Sequence, residues 1–252
     1  MSYFTEKIEQ FFLEVGRFFV ILWRVVAWTF RPPYDLRQLL NQMTRVGIDS
    51  VPVVMLTAVF TGMVMALQTF STLKRFNAEG YVGSLVALSM VRELSPVLSA
   101  LIMAGRCGSA MGAELGTMRV TEQIDALEVQ ATDPIHYLMV PRVWATTIML
   151  PMLVGLANAV GIAGGYVVSV ILFGANPVTY LDNTFQFMDY DDVTSGLIKA
   201  AVFGALIALV GCQKGYFTTG GAEGVGRSTT RAVVLASIAI LISDFFLTKL
   251  LY

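Results

Sequence analysis

Charge is what this sequence has little of. Asp, Glu, Lys and Arg make up only 14% of the 252 residues, against 56% hydrophobic, where a soluble domain carries roughly 25% charged residues. The deficit is uneven, because long apolar runs alternate with short polar ones. A run of about 20 apolar residues crosses the ~30 Å hydrocarbon core as a helix. The chain therefore reads as an all-α membrane protein with too little polar sequence left for a separate soluble domain. A net charge of −1 leaves no basic footprint for nucleic acid. Histidine occurs once, at His136 beside Pro134, and cannot by itself make a metal site. The two cysteines, Cys107 and Cys212, end apolar segments and form no disulfide framework, so they read as small packing residues. No glycine-rich run ends in Gly-Lys-Ser/Thr, and neither a zinc-protease motif nor a nucleophile elbow occurs. The chain thus reads as non-catalytic and without a cofactor of its own, with any work driven by a partner or an ion gradient.

The first segment is amphipathic. Phe4, Ile8, Phe11, Phe12, Val15, Phe18, Phe19 and Leu22 recur at helical spacing opposite Glu6, Glu9, Gln10, Glu14 and Arg17, and Trp23 and Trp28 follow. This predicts a helix lying in the membrane interface, ended by Arg31-Pro32-Pro33; a first full span is the alternative. A short polar helix over 35–49 precedes five spans, at about 50–70, 82–103, 143–173, 194–212 and 232–251. The chain is expected to be one domain, with interfacial helices over 1–49 and a five-helix bundle over 50–252. Span three carries Gly155, Gly161, Gly164 and Gly165, which predicts a kink or tilt. The stretches 105–142, 174–193 and KGYFTTGGAEGVGRSTTR read as polar connections. With the N-terminus inside, inner segments hold twelve Lys and Arg and outer ones only Lys74, Arg75 and Lys249, so the expected topology is N-in, C-out. No internal repeat is evident.

Four ionisable residues fall inside spans: Arg92, Glu93, Lys199 and Asp244. Each costs roughly 2.5–3.5 kcal/mol at a helix centre on insertion scales. They read either as buried pairs that fix packing or as an ion relay facing a cavity. Lys199 and Asp244 lie at matched depth, while Arg92 and Glu93 precede Ser95-Pro96, where a kink would free carbonyls. Gly108, Gly112 and Gly116 stand four apart and bare one helix face, for contact within the chain or with another subunit.

Between spans two and three, Glu122, Asp125 and Glu128 recur at i, i+3 and i+6 opposite Ile124, Leu127 and Ala126. Thr121 is placed to cap this helix and Asp133-Pro134 to end it. A short amphipathic helix held between two spans is either an ordinary interfacial loop helix or a knob that an ATPase subunit can grip.

The runs ALSMVRELSPVLSALIMAGRCGSAMGAELGTMRVTEQIDALEVQATDP, LMVPRVWA and GRSTTRAVV resemble the MlaE/YrbE permease family over nearly the whole chain. The resemblance implies the permease subunit of an ATP-driven transporter that moves phospholipids or related lipids between the inner and outer membranes of a bacterium. It implies an interfacial helix plus five spans in the cell inner membrane, paired as a homodimer with a lipid cavity between the copies. It implies a cytoplasmic ABC ATPase dimer that binds the ATP, an MCE-domain hexamer on the periplasmic side and a STAS-domain protein on the ATPase. The family's coupling helix falls on Glu114, Arg119, Glu122, Asp125 and Glu128, and the cavity is expected near Gln68, Phe70, Leu73 and Phe76 at the outer end of span one. An ion-coupled carrier and a non-transporting scaffold for the MCE partner are the alternatives.

Overall fold

A computed structural model describes residues 2–32 and 35–251, the side chains of 2–8, 10 and 11 excepted. The expected positions Phe4, Glu6, Ile8, Gln10, Phe11 and Pro33 thus lie outside the described side chains. Among the described residues every regular element is helical. Helix α1 (Ser2–Thr29) and α2 (Leu36–Val46) lead to α3 (Val51–Lys74). Next come α4 (Val82–Ser89), α5 (Ser95–Met103), α6 (Ser109–Val120) and α7 (Gln123–Val129). Then follow α8 (Val140–Tyr166), α9 (Pro177–Gln186), α10 (Tyr190–Tyr216) and α11 (Gly221–Leu251). Of four π turns, Met90–Leu94 and Ala104–Gly108 join helices without a break, Ile135–Met139 leads into α8 and Val167–Leu172 ends the run that α8 begins. Five helical runs are long and apolar enough to cross a membrane: Leu36–Lys74, Glu79–Val120, Ile135–Leu172, Tyr190–Tyr216 and Gly221–Leu251. Helix α1 is not one of them.

Three connections are shorter than the sequence suggests. The helix of span two runs on to Val120, so only 121–134 separates it from span three. The stretch after span three contains α9, started by Pro177 and by Asn176, whose side chain accepts from the Val178 and Thr179 amides. The glycine-rich connection is helical from Gly221; the reversal needs only Gly220 and Gly221, at φ +91° and +65°. The ends of α7 also differ from expectation. Thr121 closes α6, and α7 starts from Glu122 at φ 60° without a side-chain cap. Asp133 does not end α7 but starts span three, its Oδ1 accepting from the Ile135 and His136 amides.

Contacts divide the chain into two compact units. One comprises residues 1–44, 103–146 and 205–239. Its centre is a glycine seam between α6 and α10. A Cβ on Gly211 would sit 2.9 Å from the Gly108 carbonyl, and one on Gly215 2.7 Å from Leu115 Cβ. Gly112 lies against Ala232 of α11 and Gly116 against Thr218. The bare face Gly108–Gly112–Gly116 is thus used inside this chain. Helix α1 is fastened here by polar ties: Glu14 pairs with Lys214 at 2.8 Å, and Arg24 with Asp133 at 2.8 Å. Arg17 lies over the Phe217 ring, Trp28 stacks on His136, and Trp144 Nε1 donates to Thr29 Oγ1. Cys107 and Cys212 are buried and not joined in a disulfide, consistent with packing residues.

The other unit comprises residues 45–102, 147–204 and 240–252. Its core gathers Ala66, Phe70, Val82, Val86, Met90, Val168 and Tyr180. Glycines again set the spacing. A methyl on Gly62 would overlap the Gly161 carbonyl, and one on Gly164 would come within 2.7 Å of the Val59 carbonyl. These close approaches explain why span three is glycine-rich; Pro151 lies inside α8 and the π turn Val167–Leu172 ends the span.

Candidate functional site

The membrane-embedded charges are built around a proline. Pro96 has no N–H, so the Arg92 carbonyl loses the donor that an α-helix would aim at it. The preceding turn is π-helical, and Gly196 of α10 lies so close that a side chain there would overlap the Val91 carbonyl. That approach brings Lys199 to the freed group. Its Nζ donates to the Arg92 carbonyl at 3.2 Å, to Glu93 Oε1 at 2.8 Å and to Thr248 Oγ1 at 2.7 Å. An ammonium has three protons, and three acceptors receive them. Asp244 Oδ1 lies 3.2 Å away as a second counter-ion. The Lys199 side chain is fully buried. Three of the four sequence-predicted charges are therefore brought together, and Lys199 and Asp244 do meet. Arg92 turns elsewhere, to Asp192 at 2.6 Å. Sequence reasoning missed Asp192 because it sits among the connection's aspartates. It is nonetheless buried, and its Oδ2 accepts from the Asp189 amide.

The segment between spans two and three is tied down by several contacts. Ile124 is wholly buried and anchors α7, while Ala126, expected on the same side, is exposed. Arg119 reaches Asp125 at 2.5 Å and lies over the Tyr216 ring, and the Tyr216 hydroxyl donates to Glu128 at 3.3 Å. Glu114 pairs with the buried Arg142 at 2.9 Å, and Arg142 also donates to the Leu138 carbonyl. Of the five acidic and basic residues predicted here, four are thus engaged within the chain. Glu122 points outward with Val129, which is 88% exposed. Val129 was missed because a lone valine ending a polar helix carries no pattern.

The predicted lipid contacts divide. Phe70 is a core residue stacked on Phe173, with ring centroids 4.5 Å apart, and Leu73 packs partly against the same core. Gln68 and Phe76 are exposed. At this end of α3 only Gln68, Phe76 and one side of Leu73 remain at the surface; Phe70 faces inward as a packing residue.

A cavity of about 630 Å³ lies where α1, α10 and α11 meet, lined by Arg17, Lys214, Arg227 and Arg231 together with Glu14 and Glu223. Two of its cations are paired, Lys214 with Glu14 and Arg227 with Glu223. Among the described residues no group of His, Cys, Asp and Glu is placed to hold a metal ion.

A family model described as Permease MlaE matches residues 39–250. The chain is 45% identical over 243 residues to a probable ABC transporter permease protein of Rickettsia typhi, covering 96% of this chain and 94% of that one. It is 50% identical over 216 residues to a probable ABC transporter permease protein of Synechocystis, covering 86% and 82%. It is 36% identical over 253 residues to the intermembrane phospholipid transport system permease protein MlaE of Haemophilus influenzae, covering 100% and 97%.

Proposed function

The chain belongs to the MlaE permease family and is a multi-pass transporter permease, and from that premise we propose that it is the membrane subunit of an ATP-driven phospholipid transporter in a bacterial inner membrane. The observation that carries the reading is α7. It is a seven-residue helix with Ile124 buried, tied to the end of span two by Arg119–Asp125 and to the end of span four by Tyr216–Glu128, with Glu122 and Val129 left outward. A force applied to that end by a nucleotide-hydrolysing partner passes into both spans, which suits a chain with no nucleotide-binding motif of its own. The phospholipid cargo is supported by the likeness to the Haemophilus protein. N-in, C-out topology, which the lysines and arginines favour, puts α7 on the side where ATP is. Two copies with a cavity between them, an MCE-domain hexamer outside and a STAS-domain protein on the ATPase complete the proposed assembly. The charges that an ion relay would use are instead paired among themselves and with Asp192, which favours the ATP-driven reading over an ion-coupled carrier.

The test is reconstitution with the co-purified ATPase in liposomes carrying a labelled phospholipid. ATP-dependent lipid movement is expected, and a Glu122→Lys, Val129→Arg variant should fold normally but lose coupling between hydrolysis and transport. Lipid movement that follows an ion gradient and ignores ATP would overturn the reading.

A further inference from the structure

Helix α9 divides its surface three ways. At ~100° per residue, Asp182, Gln186 and Thr179 fall in one sector roughly 60° wide, and all three are exposed. Asn183, Tyr180 and Thr184 follow in a sector about 100° wide, and this is the packed side. Tyr180 and Thr184 are buried, and Asn183 Nδ2 donates to the Gly80 carbonyl at 2.7 Å. Gly83 of α4 has no Cβ, and any added there would lie 2.7 Å from the Tyr180 carbonyl. Leu181, Phe185 and Val178 fill the remaining sector, again roughly 60° wide. They are 42%, 69% and 64% exposed.

A helix in water beside a protein needs two faces, one packed and one polar. A third, apolar and unpacked face needs an apolar medium. The chain connectivity identifies that medium. Only residues 173–176 separate α9 from the end of span three at Leu172, and only 187–189 separate it from the start of span four at Tyr190. Tied this closely to two span ends, α9 is held at the membrane surface. Ile171 and Leu172, at the end of span three, are apolar and exposed as well, at 73% and 68%. The helix carries a single charge, Asp182, so apolar burial and not attraction to anionic headgroups would seat it.

We propose that α9 is an in-plane membrane helix: Val178, Leu181 and Phe185 lie in the acyl region, Thr179, Asp182 and Gln186 face water, and Tyr180 and Thr184 grip the outer end of α4. The lipid surface then holds the α4–α9 pair at a fixed depth.

Single cysteines at these six positions, carrying a nitroxide, in the full-length permease in phosphatidylcholine nanodiscs would test this. Cys107 and Cys212 are buried and stay unlabelled in folded protein. Labels at 178, 181 and 185 should be reached by oxygen several-fold better than by a nickel chelate, and labels at 179, 182 and 186 the reverse. Nickel reaching all six would put the helix in water. Neither reagent reaching 178, 181 and 185 would mean that a second copy or another protein covers them. Either result overturns the proposal. Should a labelled variant fail to fold, Phe185→Trp and Gln186→Trp with brominated phosphatidylcholine give the same decision: strong quenching of the first only is expected, and equal quenching refutes it.

Discussion

At the scale of single residues, Lys199 decides most. A fully buried ammonium with three acceptors and two carboxylates around it is stabilised only while those partners remain, and breaking a buried ion pair costs about 3–5 kcal/mol. Removing Lys199 leaves Glu93 and Asp244 facing each other, whereas removing Asp244 leaves Lys199 still held by Glu93. Lys199→Ala should therefore lower the melting temperature in detergent more than Asp244→Ala, and the double variant should recover part of the Lys199→Ala loss. Strictly additive losses in that double-mutant cycle would show that the two do not interact. The depth match of Lys199 and Asp244 was legible because both lie at countable distances from span ends. That Glu93 completes the group was not, since it depends on how far the Pro96 turn and Gly196 let two helices approach.

Among the elements, glycine positions separate into those that are filled and those that are open. Gly215 lies against Leu115 and the Gly112 carbonyl, while Gly155 has nothing within 4 Å of where its Cβ would be. Gly215→Val should part α6 from α10 and sharply reduce folded yield. Gly155→Ala should be neutral or stabilising by about 0.4–1 kcal/mol, through the entropy of the unfolded chain. Melting temperature and size-exclusion profile would check both, and equal effects would mean that the seam is not close-packed. The small-residue face on α6 was visible in the sequence. Its partner on α10 was not, because Gly211 and Gly215 lie at the end of an otherwise ordinary apolar run. Helix α9 was hidden for another reason: its apolar residues sit in a stretch whose aspartates and Asn-Pro start read as a loop, and Asn-Pro is equally a helix start.

For the whole molecule, five spans could be read because the bilayer sets one length and the apolar runs match it. Their boundaries were less legible, since helices continue past the apolar window whenever tertiary contacts satisfy them, as in α6 and at the start of α11. The uneven distribution of Lys and Arg gives a topology that labelling can check. A cysteine replacing Asp189 should react with a membrane-impermeant thiol reagent added outside intact cells. One replacing Asp125 should react only after the membrane is permeabilised. The opposite pattern would invert the orientation and place α7 where no ATP is available.

The π turns constrain how such a chain can change. A turn closed from i to i+5 holds one residue more than an α turn, so it is a single-residue insertion absorbed without breaking the helix. Added to a regular α stretch, the same residue would turn everything after it by ~100°. Losing one residue between Ala104 and Gly108 would instead let that turn close as α and leave Gly112 and Gly116 facing α10. The turn therefore takes up a gained or lost residue locally, and a chain without the extra residue would keep the same glycine face on α10.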